Sequence, residues 1–257
     1  MENKINESAK KALDCFKKQD YEGAINSFEK ALIETPDDPH VINNMGLCYS
    51  KLGQDDKAEE MFVKALSLNS KQVESYINLT DVYFRNRKIE DAVNLLENAV
   101  TFMPDNIVLK HTLARVYIED KRYDMAMDQL SEILDESPKN SDAYWDLGNI
   151  YFELGDYDSA TACFEQLLEL VDSNHIIYYQ TGLTYEANDN IDKAISNHLK
   201  AIAHNPEFHP SYKKLGILFM ARGENEDAIE YFGDYLKFDL PEEEKETIKN
   251  IISRITA

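Results

Sequence analysis

The histidine and cysteine side chains are the first candidates for chemistry, and neither set has the spacing that catalysis or metal binding needs. The three cysteines form no Cys-x-x-Cys pair, so we expect neither a zinc site nor a disulfide framework. The six histidines form no His-x-x-x-His or His-Glu-x-x-His arrangement. The stretch NDNID (188–192) resembles part of a calcium loop, but Lys193 stands where that loop needs glycine. No metal ion or other cofactor is therefore expected.

Motifs of nucleophilic and phosphoryl-transfer enzymes are also absent from the sequence. It contains no Gly-x-Ser-x-Gly element and no glycine-rich phosphate loop. Its many carboxylates follow the surfaces of expected helices, and nothing in their spacing marks a desolvated acid–base pair. We expect a protein without enzymatic activity.

The chemistry that the sequence favours is recognition by an aromatic side chain. Trp145, the single tryptophan, follows Tyr144 in the stretch SDAYWDLGNIYFELGDYDSA (141–160). Tryptophan and tyrosine are enriched among the residues that dominate the free energy of binding at protein interfaces. Whether Trp145 lies in a core or meets a partner depends on the elements that carry it.

A repeat of 34 residues organises these elements, without insertion or deletion from Ile5 to Glu242. One column holds alanine in all seven units: Ala24, Ala58, Ala92, Ala126, Ala160, Ala194 and Ala228. A second column is aromatic in six of the seven: Cys15, Tyr49, Tyr83, Tyr117, Tyr151, Tyr185 and Phe219. A third column holds small residues, among them Gly148, and a fourth holds large ones, among them Phe164 and His198. Constant spacing over the whole chain predicts stacked copies of one supersecondary unit.

Each unit has the apolar spacing of two helices. In the fifth unit the two stripes are Tyr144, Leu147, Gly148 and Tyr151, then Ala160, Phe164, Leu167 and Leu168. Gly155 lies between them and suits the left-handed residue that commonly ends a helix. The glycines and alanines allow the paired helices to approach closely, while the large side chains fill the space beside them.

These columns resemble the consensus of the tetratricopeptide repeat family, Trp-x-x-Leu-Gly-x-x-Tyr followed by Ala-x-x-x-Phe, Ala and Pro. The fifth unit matches through Tyr144, Leu147, Gly148, Tyr151, Ala160 and Phe164, with Asp172 in place of the proline. The resemblance covers about nine-tenths of the chain. It implies an all-α fold, a right-handed α-solenoid (superhelix) of seven antiparallel helix pairs with a concave groove.

We predict one superhelical domain over residues 1–257. Its repeats are expected at 5–38, 39–72, 73–106, 107–140, 141–174, 175–208 and 209–242. After them, Ile248, Ile251, Ile252 and Ile255 again have helical spacing, which predicts a C-terminal capping helix over 242–257.

The resemblance implies that first-helix side chains line the concave groove and bind a partner segment there. Trp145 lies about 100° around its helix from the core stripe of Tyr144, and it shares its own stripe with Asp142, Asn149 and Phe152. The expected peptide-binding residues are Asn44, Asn78, His111, Arg115, Asp142, Trp145, Asp146, Asn149, Phe152 and Tyr179. The alternative is that Trp145 only packs over the edge of a neighbouring repeat.

Known ligand patterns of the family are represented only in part. The positions that match the chaperone-binding carboxylate clamp lack its Lys–Arg partners, so that clamp is incomplete. Asn44 and Asn78 are the only counterparts of the asparagine ladder seen in the O-linked N-acetylglucosamine transferase superhelix.

A net charge of −21 bears on the choice of partner. Such a surface repels phosphate backbones and anionic lipids, so neither nucleic acid nor a membrane is expected to bind. The middle of the groove should be acidic and aromatic, with basic residues such as Lys213 and Lys214 near the ends. A partner with basic and apolar residues fits this pattern, although the acidic positions also fit an ordinary solvated face.

Together these features predict a non-enzymatic interaction scaffold or adaptor that binds a protein or peptide. A self-assembling structural subunit and a regulatory subunit of an enzyme encoded elsewhere remain alternatives. The N-terminal stretch lacks the layout of a signal peptide and no apolar run approaches the ~20 residues needed to cross a bilayer, so a cytoplasmic location is expected.

Overall fold

The described part of the chain, residues 7–171 and 174–256 of a computed structural model, forms fifteen α-helices and contains no strand. The helices are α1 (Glu7–Lys17), α2 (Tyr21–Glu34), α3 (Pro39–Lys51), α4 (Asp55–Leu68), α5 (Val73–Arg85), α6 (Ile89–Phe102), α7 (Ile107–Glu119), α8 (Tyr123–Glu136), α9 (Ser141–Leu154), α10 (Tyr157–Leu170), α11 (His175–Ala187), α12 (Ile191–His204), α13 (His209–Ala221), α14 (Asn225–Tyr235) and α15 (Glu242–Ile255). The first fourteen form seven consecutive pairs at the predicted period. The predicted all-α repeat solenoid is confirmed.

The packing of the helices divides the chain into two compact units, one ending at Ile133 and the other beginning at Leu134. In the first unit each helix from α1 to α7 packs on the next, and α5 also contacts α3 and α7. In the second unit each helix from α9 to α15 packs on the next. The capping helix α15 buries Ile248 against α14 and its neighbours, as its apolar spacing predicts. That the whole chain is one domain stays a prediction.

Small residues on the first helix of a pair face large rings on the second. A Cβ atom on Gly148 would lie 2.7 Å from Cε1 of Phe164, and one on Gly216 would lie 2.5 Å from Cδ1 of Phe232. Both rings are fully buried. Because no real Cβ approaches a ring so closely, glycine is what allows an aromatic ring to lie flat under the first helix.

The residue that ends the turn between paired helices has a left-handed conformation in all seven repeats. Its φ lies between 55° and 78° throughout, and the residues are Gln19, Gly53, Arg87, Lys121, Gly155, Asp189 and Gly223. The sequence pattern predicted this conformation only where glycine marks it. The remaining four side chains adopt it because the helices on both sides fix the turn, and a Cβ in this region costs roughly 1–2 kcal/mol.

Lys121→Gly is therefore expected to stabilise the protein by about 0.5–1 kcal/mol, since relief of the strained backbone exceeds the added entropy of glycine in the unfolded chain. Lys121 is exposed and makes no side-chain hydrogen bond or ion pair within residues 7–171 and 174–256. The urea midpoint of unfolding measures the change, and Gly155→Ala is the matched control with the opposite expected sign. A lower midpoint for Lys121→Gly would contradict the prediction.

Candidate protein-binding surface

Trp145 is carried by α9, a helix whose two ends are both fixed by side-chain or backbone geometry. Asn140 caps the start, with its Oδ1 accepting a hydrogen bond from the backbone N–H of Ala143 at 2.9 Å. Gly155 ends the helix in a left-handed conformation with φ of 77°. The indole is therefore held on a helix of defined length and register.

One edge of the Trp145 indole contributes to the core, while the ring as a whole stays half-buried. The ring meets Phe164 edge to face, with centroids 5.7 Å apart. The indole also lines an open cavity of about 310 Å³. We call this the Trp145 cavity, and its lining residues are Ser141, Asp142, Trp145, Leu167, Val171, Asn174, Ile176 and Ile177. Trp145 thus combines packing in its own repeat with a surface that remains accessible.

The other predicted residues of α9 surround Trp145 without forming one site with it. Asn149 donates its Nδ2–H to the backbone oxygen of Trp145 at 2.8 Å, so one of its amide donors is used inside the helix. Phe152 packs against Tyr157, with ring centroids 5.6 Å apart. Of the four predicted partners of Trp145 on this helix, Asp142 lines the cavity, whereas Asp146, Asn149 and Phe152 do not.

Tyr179 on α11 lies in a second opening of the same unit. Its ring packs on His198 and Phe208, at centroid distances of 5.4 and 5.1 Å. Burial raises the pKa of the Tyr179 hydroxyl above its usual value, so it stays a protonated hydrogen-bond donor at neutral pH. Its cavity measures about 440 Å³, and the other lining residues are His209, Pro210, Lys213, Lys214, Ile217, Tyr235 and Glu244.

The two lysines of α13 are neutralised within the fold. Lys213 Nζ lies 2.6 Å from Glu244 Oε1, and Lys214 Nζ lies 2.8 Å from Glu186 Oε2. Hydrogen bonds donated by Lys213 and by the hydroxyl of Tyr235 hold the pKa of Glu244 below its usual range. The basic residues predicted near this end of the groove are therefore already paired with carboxylates.

In the first unit, the two predicted asparagines have different surroundings. Asn78 donates its Nδ2–H to Oδ1 of Asn43 at 3.1 Å, and Ser75 donates to the same oxygen at 2.9 Å. This cluster ties α5 to α3 and explains Asn78 as a structural residue. Asn44 is half-buried and its side chain makes no hydrogen bond within the described ranges.

His111 and Arg115, both on α7, share a third cavity of about 410 Å³ with residues of α5. The full lining is Ile77, Thr80, Asp81, Phe84, Arg85, His111, Thr112, Arg115 and Glu119. Arg115 and Asp81 are exposed, and neither makes an ion pair among the residues that the structure describes. Opposite charges thus line this cavity together, and neither sign dominates.

Sequence reasoning missed the walls of the Trp145 cavity that come from other helices. Leu167 and Val171 come from the end of α10, and Ile176 and Ile177 from the start of α11. Leu167 was assigned to the core stripe, where it also lies, because the period alone does not separate a buried face from the rim of a cavity. The available signal was the run of apolar residues on both sides of a repeat boundary.

The buried thiols offer no catalytic nucleophile. Burial raises the pKa of Cys48 to about 12 and that of Cys163 to about 11, so both are protonated at neutral pH. Among residues 7–171 and 174–256, no group of three or more His, Cys, Asp or Glu side chains is placed to hold a metal ion. Within the same residues, every helix is too short or too polar to cross a bilayer.

Comparison with known proteins supports a repeat protein throughout. A family model described as tetratricopeptide repeat matches residues 16–80, 83–135 and 119–180. A crystal structure of a tetratricopeptide repeat protein from Parabacteroides merdae superposes with a TM-score of 0.65 at 20% identity, covering 98% of each chain. A second, YrrB, described as a TPR protein with an unusual peptide-binding site, has a TM-score of 0.56 at 23% identity, covering 72% of this chain and 95% of YrrB.

Similar segments occur in much longer curated proteins. Tetratricopeptide repeat protein 21A of Mus musculus is 30% identical over 95 residues, which are 37% of this chain and 7% of that protein. Hsp70-Hsp90 organizing protein 2 of Arabidopsis thaliana is 26% identical over 100 residues, covering 39% of this chain and 18% of that protein. The chain therefore spans a small part of the length of these relatives. With the family model matching well over half of its residues, the chain belongs to the tetratricopeptide repeat family.

Proposed function

We propose that this protein is a non-enzymatic interaction scaffold that binds a segment of a partner protein in the groove predicted along its first helices. Proteins of this family generally act as protein–protein interaction scaffolds. The Trp145 cavity is the proposed centre of recognition in the second unit, with Tyr179 as a further aromatic anchor.

The observation that carries the proposal is the half-buried indole of Trp145 beside a cavity that the chain itself does not fill. A tryptophan in a pocket of aliphatic side chains is the composition of an interface hot spot. The edge-to-face contact with Phe164 fixes the ring, so little side-chain entropy remains to be lost on binding.

The partner is expected to be basic and apolar. The net charge of −21 favours cationic segments over acidic ones and increases their rate of encounter at low ionic strength. Since the lysines of α13 already pair with Glu186 and Glu244, they offer an acidic segment little uncompensated charge.

Trp145→Ala is expected to weaken partner binding by about 2 kcal/mol or more, because truncation empties the centre of the cavity. Affinity capture from a lysate of the source cells, with wild type, Trp145→Ala and Leu154→Ala side by side, identifies the partner. Leu154 is the matched control, since it is an apolar residue of the same helix, 51% exposed and outside the cavity lining. Titration of the purified partner then gives the affinities.

Proteins captured by the wild type and by Leu154→Ala but lost with Trp145→Ala support the proposal. Equal capture by all three proteins would contradict a role for this cavity. Light scattering across a range of concentrations tests the self-assembling alternative, because the scaffold proposal expects a constant mass for the purified chain.

A further inference from the structure

We infer that the Trp145 cavity takes one basic side chain, an arginine or lysine, of the partner segment, with its cation at Asp142 and its alkyl stem against the apolar wall. The inference rests on the proposed function and names the partner residue that the surface recognises.

The walls of the cavity suit the stem of a long side chain. Leu167, Val171, Ile176 and Ile177 supply aliphatic surface, and Trp145 supplies an aromatic ring. A volume of about 310 Å³ lies at the low end for ligand pockets, which fits one side chain rather than a whole segment. Arginine and lysine bury their methylene groups along such a surface while the charged end stays near water.

The single ionised group of the lining gives the cavity its charge preference. Among the described lining residues, Asp142 alone carries a charge, and the others are apolar or neutral polar. Asp142 is exposed and makes no hydrogen bond or ion pair within residues 7–171 and 174–256. It lies three residues before Trp145, so both side chains project from the same face of α9.

Two favourable interactions then act on the same cation. The carboxylate of Asp142 attracts it directly, and the face of the Trp145 indole adds a cation–π contribution. Lysines elsewhere in this unit are already engaged, as the ion pairs of Lys213 and Lys214 show. An acidic side chain would meet repulsion from Asp142, and an aliphatic one would gain only the apolar contact.

Trp145 itself provides the measurement, since it is the only tryptophan of the chain. The probe is an acetylated and amidated peptide Ala-Leu-Xaa-Leu-Ala, in which Xaa is arginine, citrulline, norleucine or glutamate. Citrulline keeps the shape of arginine and removes its charge. Displacement of water from the indole shifts its emission to shorter wavelength, and titration of the full chain gives an affinity for each peptide.

The arginine peptide is expected to bind roughly five- to tenfold more tightly than the citrulline peptide, with the glutamate peptide weakest. In Asp142→Asn this preference should fall to about twofold or less, because only the cation–π contribution remains. Glu153→Gln is the matched control, since it removes an exposed acid of the same helix outside the cavity and should keep the full preference.

Equal binding of the arginine and citrulline peptides, or an equal loss of preference in Asp142→Asn and Glu153→Gln, would overturn the inference. So would the failure of every peptide to shift the emission. If capture of a cellular partner still depends on Trp145 in that case, the scaffold proposal stands and only the basic-residue preference is wrong.

Discussion

Replacing His198 with phenylalanine is expected to raise the free energy of unfolding by about 1–3 kcal/mol at pH 7 and by about 2 kcal/mol more at pH 5. His198 lies in the column that holds phenylalanine in four of the other repeats, and its side chain is fully buried. Neither ring nitrogen has a hydrogen-bond partner in the described residues. The site thus carries a polar group in an apolar position.

The space for phenylalanine is already present. The ring of His198 lies against Gly182 as the ring of Phe164 lies against Gly148, with nearly equal distances from a hypothetical Cβ, 2.8 and 2.7 Å. Phenylalanine therefore restores the ring–glycine contact of the other repeats and removes two unsatisfied nitrogens. A buried polar group without a partner costs about 1–3 kcal/mol, which sets the expected gain at pH 7.

The pH dependence follows from the lowered pKa of His198. Burial, with a smaller effect from the nearby charge of Lys214, lowers this pKa from 6.5 to about 3 in the folded protein. Above pH 6.5 both states are neutral. Between pH 6.5 and 3 the unfolded chain binds a proton that the folded protein excludes, so stability falls as the pH falls, by about 2 kcal/mol at pH 5.

Urea unfolding of the wild type and His198→Phe at pH 7 and pH 5 measures both effects. His204→Phe is the matched control, because His204 is exposed at the end of the same helix, stacked on Tyr178. A stability difference between wild type and His198→Phe that stays the same at both pH values would contradict the lowered pKa.

The sequence predicted the helices well because the period repeats the same local information seven times. The column of Ala24, the stripe of α9 and the capping helix all lie where their spacing places them. His198 was also assigned correctly to the core, since the column identifies the environment even when the residue type departs from it.

Features that depend on contacts between repeats could not be predicted in the same way. Lys110 stands in the column of Tyr144, yet it is only 4% exposed and pairs with Glu132 at 2.9 Å. The pairing of Lys213 with Glu244 depends on where α15 packs, which no residue of α13 reveals. For the same reason the outer walls of the Trp145 cavity came only from the three-dimensional arrangement.

Phe164→Ala is expected to lower the free energy of unfolding by about 3–5 kcal/mol, the largest loss that we predict for a single side chain. Phe164 is fully buried, lies under Gly148 and supports the indole of Trp145. Its removal leaves a cavity and frees the Trp145 ring, so the fluorescence of the folded protein should also change.

The pairing of columns suggests a sharper experiment on the same contact. Where the small column holds glycine, the large column holds an aromatic ring, and in the fourth repeat Ala114 is matched by Leu130. Gly148→Ala alone is expected to cost about 1–3 kcal/mol, because its new Cβ would overlap the ring of Phe164. Phe164→Leu alone should cost about 1 kcal/mol or more through loss of buried surface.

The double variant Gly148→Ala/Phe164→Leu recreates the Ala114–Leu130 pair within the fifth repeat and should lose less stability than the sum of the two single variants, by about 1 kcal/mol or more. Alanine is also the better helix former, which adds up to about 1 kcal/mol at this position. Urea unfolding of the four proteins completes the double-mutant cycle. Simple additivity would show that the close approach of glycine and ring does not couple the two columns. A positive coupling would show that the choice of glycine in the first helix depends on the ring that supports Trp145.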